Sequence, residues 1–335
     1  MGTWADHEDE IRSAAAQLPQ LPWSLRYMLD EHGRDTGFAV LRGHIQDHER
    51  QAFEVMAADH RFIGWMQWWA FPVPHYSYGG ERYQAVPSEP PAPDLWDRPE
   101  IQACEAWAHC VRTPDDFLPP RGPRFLISNS DFVDTGAIWR AAHGTSRARP
   151  PKRWDVICCY SAHWYDEIQK NWSLARACVE VLVRELNLSV LLLARGGMPN
   201  VPLHPNVEVR PRVSWQECIG CMARSRIVLF PHHIEPSPRS MMEALALDVP
   251  VLVNSEILGG WKYVNDETGR FFDDAFDVAA QARELLSSSL QPRAWVRRHY
   301  GRDLAARRLA THLRSLGGAN DVRYAFSSAL LGWGQ

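Results

Sequence analysis

The chain has 335 residues, a formal net charge of -4, 45% hydrophobic and 23% charged residues. That length is comfortable for two domains, and the mild acidity excludes a protein whose main work is to coat nucleic acid. No run approaches the ~18 consecutive apolar residues of a membrane span, and the acidic start MGTWADHEDE lacks the basic opening of a signal peptide, so a cytoplasmic location is expected.

In chain order, the first thirty residues predict two short helices, about Asp9 to Leu18 and Trp23 to His32, broken by Pro19 and Pro22. A strand at Gly37 to Arg42 and a helix at Asp47 to His60 follow, the helix with Phe53, Met56 and Ala57 on one face. Arg61 to Phe71 reads as a strand and ends in the loop PVPHYSYGGERY, whose His75 and Tyr78 are candidates for ligand contacts, plain turn cover being the alternative. Beyond a Pro-rich connector, a helix is expected near Glu100 to Cys110, a strand at Arg124 to Ser128, and a helix at Val133 to Ala142 capped by Ser130 or Asp131. Asn129 and Asp131 join the ligand candidates, with simple capping the alternative for Asp131. His143 to Arg153, polar and basic, reads as a linker.

The second half alternates strand and helix. Strands are expected at Trp154 to Tyr160, Val190 to Leu193, Val207 to Arg210, Ile227 to Phe230 and Val249 to Val253. Their continuous apolar runs predict a parallel sheet covered on both faces. Ligands of such sheets sit at the carboxyl ends of the strands, which makes the loop PHHIEPSPR after Phe230 the centre of interest. Pro236 and Pro238 suit the first turn of the next helix, with Ser237 or Ser240 as its cap. A helix start facing a crevice suits a phosphate, and two flanking carboxylates, Glu235 and Glu243, suit hydroxyls. A sugar nucleotide combines both. Lys262, after the Gly259-Gly260 turn, is a further phosphate candidate, a surface lysine being the alternative.

Seven cysteines, an odd number, fit reduced thiols better than a disulfide framework, and Cys218-x2-Cys221 reads as two buried small hydrophobes in a helix rather than a metal or redox motif. After a helix near Phe276 to Ser287 comes a basic helical run from Arg293, suited to packing with a solvated face; an anionic membrane surface is its alternative.

Glu235-x7-Glu243, followed by Ala244-Leu245, Pro250-Val251-Leu252-Val253, Gly259-Gly260 and Thr268-Gly269, resembles the C-terminal domain of retaining GT-B glycosyltransferases of the family-4 type. The resemblance covers roughly the second half of the chain. It implies an α/β fold of two Rossmann-like parallel-sheet domains facing a central cleft. The domains expected are an acceptor domain at 1-148, a nucleotide-sugar donor domain at 149-290, and C-terminal helices at 291-335 packing back on the first domain.

It also implies transfer of a sugar from a nucleotide-diphosphate donor to a hydroxyl acceptor, with retention and with no metal or other cofactor. In that picture Glu235 and Lys170 are the catalytic candidates. Glu243, Ser237, Arg239, Lys262 and His163 serve the donor, and His75, Tyr78, Asn129 and Asp131 the acceptor. Partners would be the nucleotide sugar and a glycan or other hydroxyl-bearing acceptor, with weak membrane contact through the basic tail and no stable nucleic-acid binding. Two departures stand out. Tyr165 replaces the family's arginine five residues before Lys170, and Pro236-Ser237-Pro238 replaces a Gly-Phe-Gly-like stretch. A nucleotide-sugar epimerase and a non-catalytic sugar-nucleotide or glycan-binding protein are the alternatives.

Overall fold

In the computed structural model the short apolar runs become strands of two separate sheets. The structure describes residues 13, 16–30, 32–66, 71–72, 95–146, 148–161, 170–195, 204–211, 213–317 and 324–325. The chain forms two compact units, Met1–Phe132 with Gly301–Gln335, and Val133–Tyr300. The sequence reading drew its boundaries at 148 and 290; the units divide after Phe132 and after Tyr300.

The first unit holds β1 (Leu25–Asp30), β2 (Asp35–Leu41), β3 (Arg61–Trp65), β4 (Cys104–His109), β5 (Arg124–Leu126) and the short β12 (Tyr324–Ala325), in the order β12-β1-β2-β3-β4-β5. β2 to β5 are parallel, and β1 lies antiparallel to β2 and β12. Helices α1 (Arg50–Asp59), α2 (Pro99–Gln102) and α9 (Arg302–Ser315) belong to this unit. Ala305, Ala306, Leu309, Ala310 and Leu313 of α9 share one core with Phe38, Val40, Ile63, Trp65 and Phe125 of the sheet.

Two segments differ from the expected helices. Leu25–Asp30 is a strand because a tight turn folds it onto β2. Asp30 Oδ1 accepts from the backbone N–H groups of His32 and Arg34 at 2.8 and 2.9 Å, and Gly33 takes the positive φ of 74° that the turn demands. Cys104–His109 is a strand flanked by β3 and β5 and almost entirely buried. Its Trp107 ring lies so close to Gly64 that a Cβ there would come within 2.4 Å. A fully buried strand shows no period of two, so its sequence looks like a buried helix.

The second unit holds six parallel strands: β6 (Trp154–Ser161), β7 (Val190–Arg195), β8 (Val207–Pro211), β9 (Ser225–Phe230), β10 (Val251–Asn254) and β11 (Gly269–Phe272). Side chains alternate between its faces. Val156 and Cys158 meet α4 (Trp172–Glu185) and α7 (Val278–Ser287). Ile157 and Cys159 meet a core built from α3 (Thr135–His143), α5 (Trp215–Ala223), α6 (Arg239–Ala246) and α8 (Pro292–His299). The α3 cap is Asp134, whose carboxylate accepts from Ala137 N at 2.7 Å, in place of the expected Ser130 or Asp131. All seven cysteines are free thiols; Cys104, Cys110, Cys158, Cys178 and Cys221 are buried, and Cys159 and Cys218 are half-buried.

Candidate functional site

The second sheet runs β11-β10-β9-β6-β7-β8. From β6 the chain steps outward to β8, then restarts at β9 on the other side of β6, so strand order reverses between β6 and β9. Loops leaving two such strands part toward opposite faces and open a crevice at their carboxyl ends, where open α/β sheets bind ligands. The loop after β6 leads to Lys170 and the loop after β9 carries Glu235. Their side chains meet there, Lys170 Nζ lying 3.6 Å from Glu235 Oε2, with both groups largely shielded from solvent.

Local structure fixes each partner. Asn171 caps α4 from a left-handed conformation (φ 49°), its side chain accepting from Leu174 N at 3.4 Å, and Lys170 therefore sits directly before the start of a 14-residue helix. The Glu235 loop is held from behind by backbone. Gly259 N donates to Glu235 O at 3.0 Å and Leu258 N to His233 O at 2.7 Å. A Cβ at Gly259 would lie 1.9 Å from Pro236 O, and Gly260, at φ +80°, faces Pro238. The Gly-Gly pair thus exists to let two backbones touch.

Two neighbours escaped the sequence reading. His232 is 2% exposed, its ring edge-on to Phe230 at 5.4 Å. Burial, then the charge of Lys170, hold its imidazole well below the usual range, so it stays neutral beside the lysine. Trp215, half exposed at the start of α5, donates its Nε1–H to Glu243 Oε1 at 2.9 Å. Burial pushes the Glu243 carboxyl up, against that hydrogen bond and the charge of Arg239. The capping box of Ser214 and Glu217 that fixes the start of α5 is legible in sequence, but the Trp215–Glu243 contact joins segments far apart in the chain.

Pro238 takes the N-cap position of α6 with extended backbone and no side-chain cap; Ser237 precedes it and Ser240 falls in the first turn, in place of the capping expected of either serine. Ser237 is half-buried and Arg239 exposed. The Lys262 ammonium lies over the rings of Tyr263 and Tyr300, 5.2 and 5.8 Å from their centroids. In the first unit Asn129 and Asp131 share a 3-10 turn after β5 and are 7% and 1% exposed. Asp131 Oδ2 accepts from Ser128 N at 3.1 Å and its carbonyl from Gly301 N at 2.9 Å, which gives it a turn-closing role. His75, Tyr78, His163 and Tyr165 lie outside the described residues.

Among the described residues, no group of three or more His, Cys, Asp and Glu side chains is placed to hold a metal ion, and no helix is long and apolar enough to cross a membrane.

No protein-family model and no curated protein matches the sequence. Solved structures do. The pneumococcal O-GlcNAc transferase GtfA in complex with UDP and GlcNAc is similar at a TM-score of 0.51 and 11% identity, over 83% of this chain and 56% of that one. A mutant of S. aureus TarM in complex with Fondaparinux, alpha-GlcNAc-glycerol and UDP is similar at 0.53 and 13%, over 76% and 50%. The alpha,alpha-trehalose 6-phosphate synthase of Burkholderia multivorans is similar at 0.51 and 10%, over 94% and 76%. The chain spans about half the length of the first two. At such low identities the likeness is one of fold: two Rossmann-like α/β domains of the GT-B kind.

Proposed function

We propose that this chain is a retaining, metal-independent glycosyltransferase that moves a sugar from a nucleotide-diphosphate donor to a hydroxyl acceptor. The observation that carries this reading is the meeting of Lys170 and Glu235, 3.6 Å apart, on the loops of the two strands that flank the reversal. A cation beside a hydroxyl-accepting carboxylate is the pattern a sugar diphosphate requires.

Lys170 and the N-terminal N–H groups of α6 take up charge on the leaving diphosphate, the task a divalent cation performs in other transferases. Glu235 accepts from the sugar hydroxyls and stabilises positive charge developing at the anomeric carbon. Glu243 accepts from the ribose hydroxyls, its carboxylate having lone pairs beyond the one bound by Trp215. Ser237, Arg239, Lys262 and His163 complete the donor side, and His75, Tyr78 and Asn129 the acceptor side, with Asp131 shaping the turn that carries Asn129. The UDP in the GtfA and TarM complexes supports a uridine diphosphate donor. A cytoplasmic location accords with such a donor.

The test is thermal-shift stabilisation by a panel of nucleoside diphosphates and their sugars in EDTA, on the wild type and on Glu243→Ala. A nucleotide at ~100 times its dissociation constant stabilises by about 2.7 kcal/mol, and Glu243→Ala weakens that response. A folded protein that responds to no nucleotide overturns the reading. Release of free nucleotide only when an acceptor is added separates transfer from isomerisation.

A further inference from the structure

Beneath the candidate site two sulfurs face each other. Cys159, near the carboxyl end of β6, points to the opposite face of the sheet from its neighbour Cys158 and packs toward α5. There its Sγ lies 4.0 Å from Cys218 Sγ. Sequence spacing couples Cys218 with Cys221, one helical turn on, but the fold gives Cys221 another partner, Arg210 Nη1 at 3.8 Å. Cys159 and Cys218 are both half-buried, whereas Cys158 and Cys178 are sealed in the core.

The two thiols are not equivalent. Either thiol can donate across the pair; with Cys218 as donor, that hydrogen bond, helped by the charge of Lys170, draws the Cys159 thiol down despite its burial. Cys218 is pushed up by the same hydrogen bond and by burial. One sulfur leans toward thiolate and its neighbour holds a proton, which is the division of labour in thiol–disulfide exchange.

Closure would be felt at the donor site. A disulfide is about 2.05 Å long, so the sulfurs must approach by about 2 Å. Cys159 is fixed in a strand paired on both sides, so whatever backbone adjustment the bond demands falls on α5. One turn ahead of Cys218 on the same face of α5 stands Trp215, whose indole binds Glu243.

We propose that Cys159 and Cys218 are a modification site: a dithiol that a low-molecular-weight disulfide oxidises to an intramolecular disulfide, displacing Trp215 from Glu243 and weakening nucleotide binding. With glutathione disulfide the Cys159 thiolate attacks one glutathione sulfur and expels glutathione thiolate, leaving a mixed disulfide. Cys218, surrendering its proton to solvent, attacks Cys159 Sγ and expels the second glutathione. Two electrons and, after protonation of the leaving thiolates, two protons pass from the protein to the reagent, yielding two molecules of glutathione. The effect on nucleotide rests on the donor-site reading above; formation of the bond does not.

The experiment incubates the folded full chain with glutathione disulfide, alkylates the remaining thiols under denaturing conditions and maps peptides by mass spectrometry. The expected product is a Cys159–Cys218 linked peptide and a loss of about 2 Da, formed equally by Cys221→Ala and abolished by Cys159→Ser and by Cys218→Ser. In parallel, the apparent nucleoside diphosphate affinity falls at least threefold on oxidation and returns with dithiothreitol, while Cys159→Ser, which lacks the attacking thiolate, is indifferent to the reagent. A glutathione adduct persisting on Cys159, a Cys218–Cys221 link, or no reaction in the folded protein overturns the pair. A clean disulfide with unchanged nucleotide affinity overturns the coupling to Glu243. If reduced protein binds no nucleotide, the donor-site reading fails, and the mass measurement still decides the disulfide.

Discussion

The two sheets use similar strands to different ends. In the first unit β1 to β5 lie side by side in chain order, so successive connections step in one direction and no two neighbouring exit loops are forced apart. In the second the order reverses once, between β6 and β9, and the reversal is where Lys170 and Glu235 meet. Polar groups at the ends of strands follow the same division. After β5, Asp131 is spent on closing its own turn; after β9, backbone from Leu258 to Gly260 holds the loop and leaves the Glu235 carboxylate to the crevice. The lesson is that topology, rather than composition, decides which sheet edge becomes a site.

The comparison breaks or sharpens most strongly at two glycines. Gly259→Ala forces a Cβ into Pro236 O, and Gly64→Ala forces one into the Trp107 ring. Each is expected to lower stability by about 3 kcal/mol in urea denaturation, the scale of overpacking at a site that cannot yield. Only Gly259→Ala abolishes the nucleotide-dependent thermal shift. Loss of that shift in Gly64→Ala would mean that the first unit governs the site as much as the second.

A smaller effect separates two ion pairs. Lys170→Ala should remove about 1.5–3 kcal/mol of nucleotide-dependent stabilisation, the worth of a charged hydrogen bond. Arg61→Ala, which breaks a solvent-exposed pair with Glu105 in the first sheet, should change stability by no more than about 1 kcal/mol and leave the nucleotide response intact. Equal losses of response in both variants, measured by the same titration, would erase the distinction.

The smallest effect concerns Glu243 and its pH dependence. Burial raises the folded-state pKa of this carboxyl, so its ionisation costs stability. That cost is absent below the ordinary carboxylate range and develops as pH rises through the raised value. Glu243→Gln, which keeps an oxygen for Trp215, should therefore melt above the wild type near pH 7 without ligand and at the same temperature near pH 4. A gap constant across pH would show that ionisation of Glu243 carries no such penalty.

Much of this was legible in sequence. β6, β7, β9 and β10 announce themselves as short apolar runs between turn signals, and the segment after β9 shows its two carboxylates at once. β1 and β4 were not legible, because the first depends on a turn around Gly33 and the second is buried without a period. The contacts that complete the site join residues remote in the chain: Trp215 with Glu243, Gly259 with Pro236, Cys159 with Cys218. Only the folded register brings them together. Pro238 at the N-cap of α6 overrode two serines because its own extended φ already fits that position.

The sealed cysteines have a consequence for kinetics. Cys104 and Cys110 lie in the first unit, Cys158 and Cys178 in the second, none more than 6% exposed. A thiol reagent reaches them only during transient opening, so their labelling rates in native conditions report opening free energies. The native sequence thus contains a matched pair of clocks. If the two units breathe as one, all four sulfurs are labelled at a common rate; if each breathes alone, the clocks run apart, and a ligand held by the second unit slows only the second.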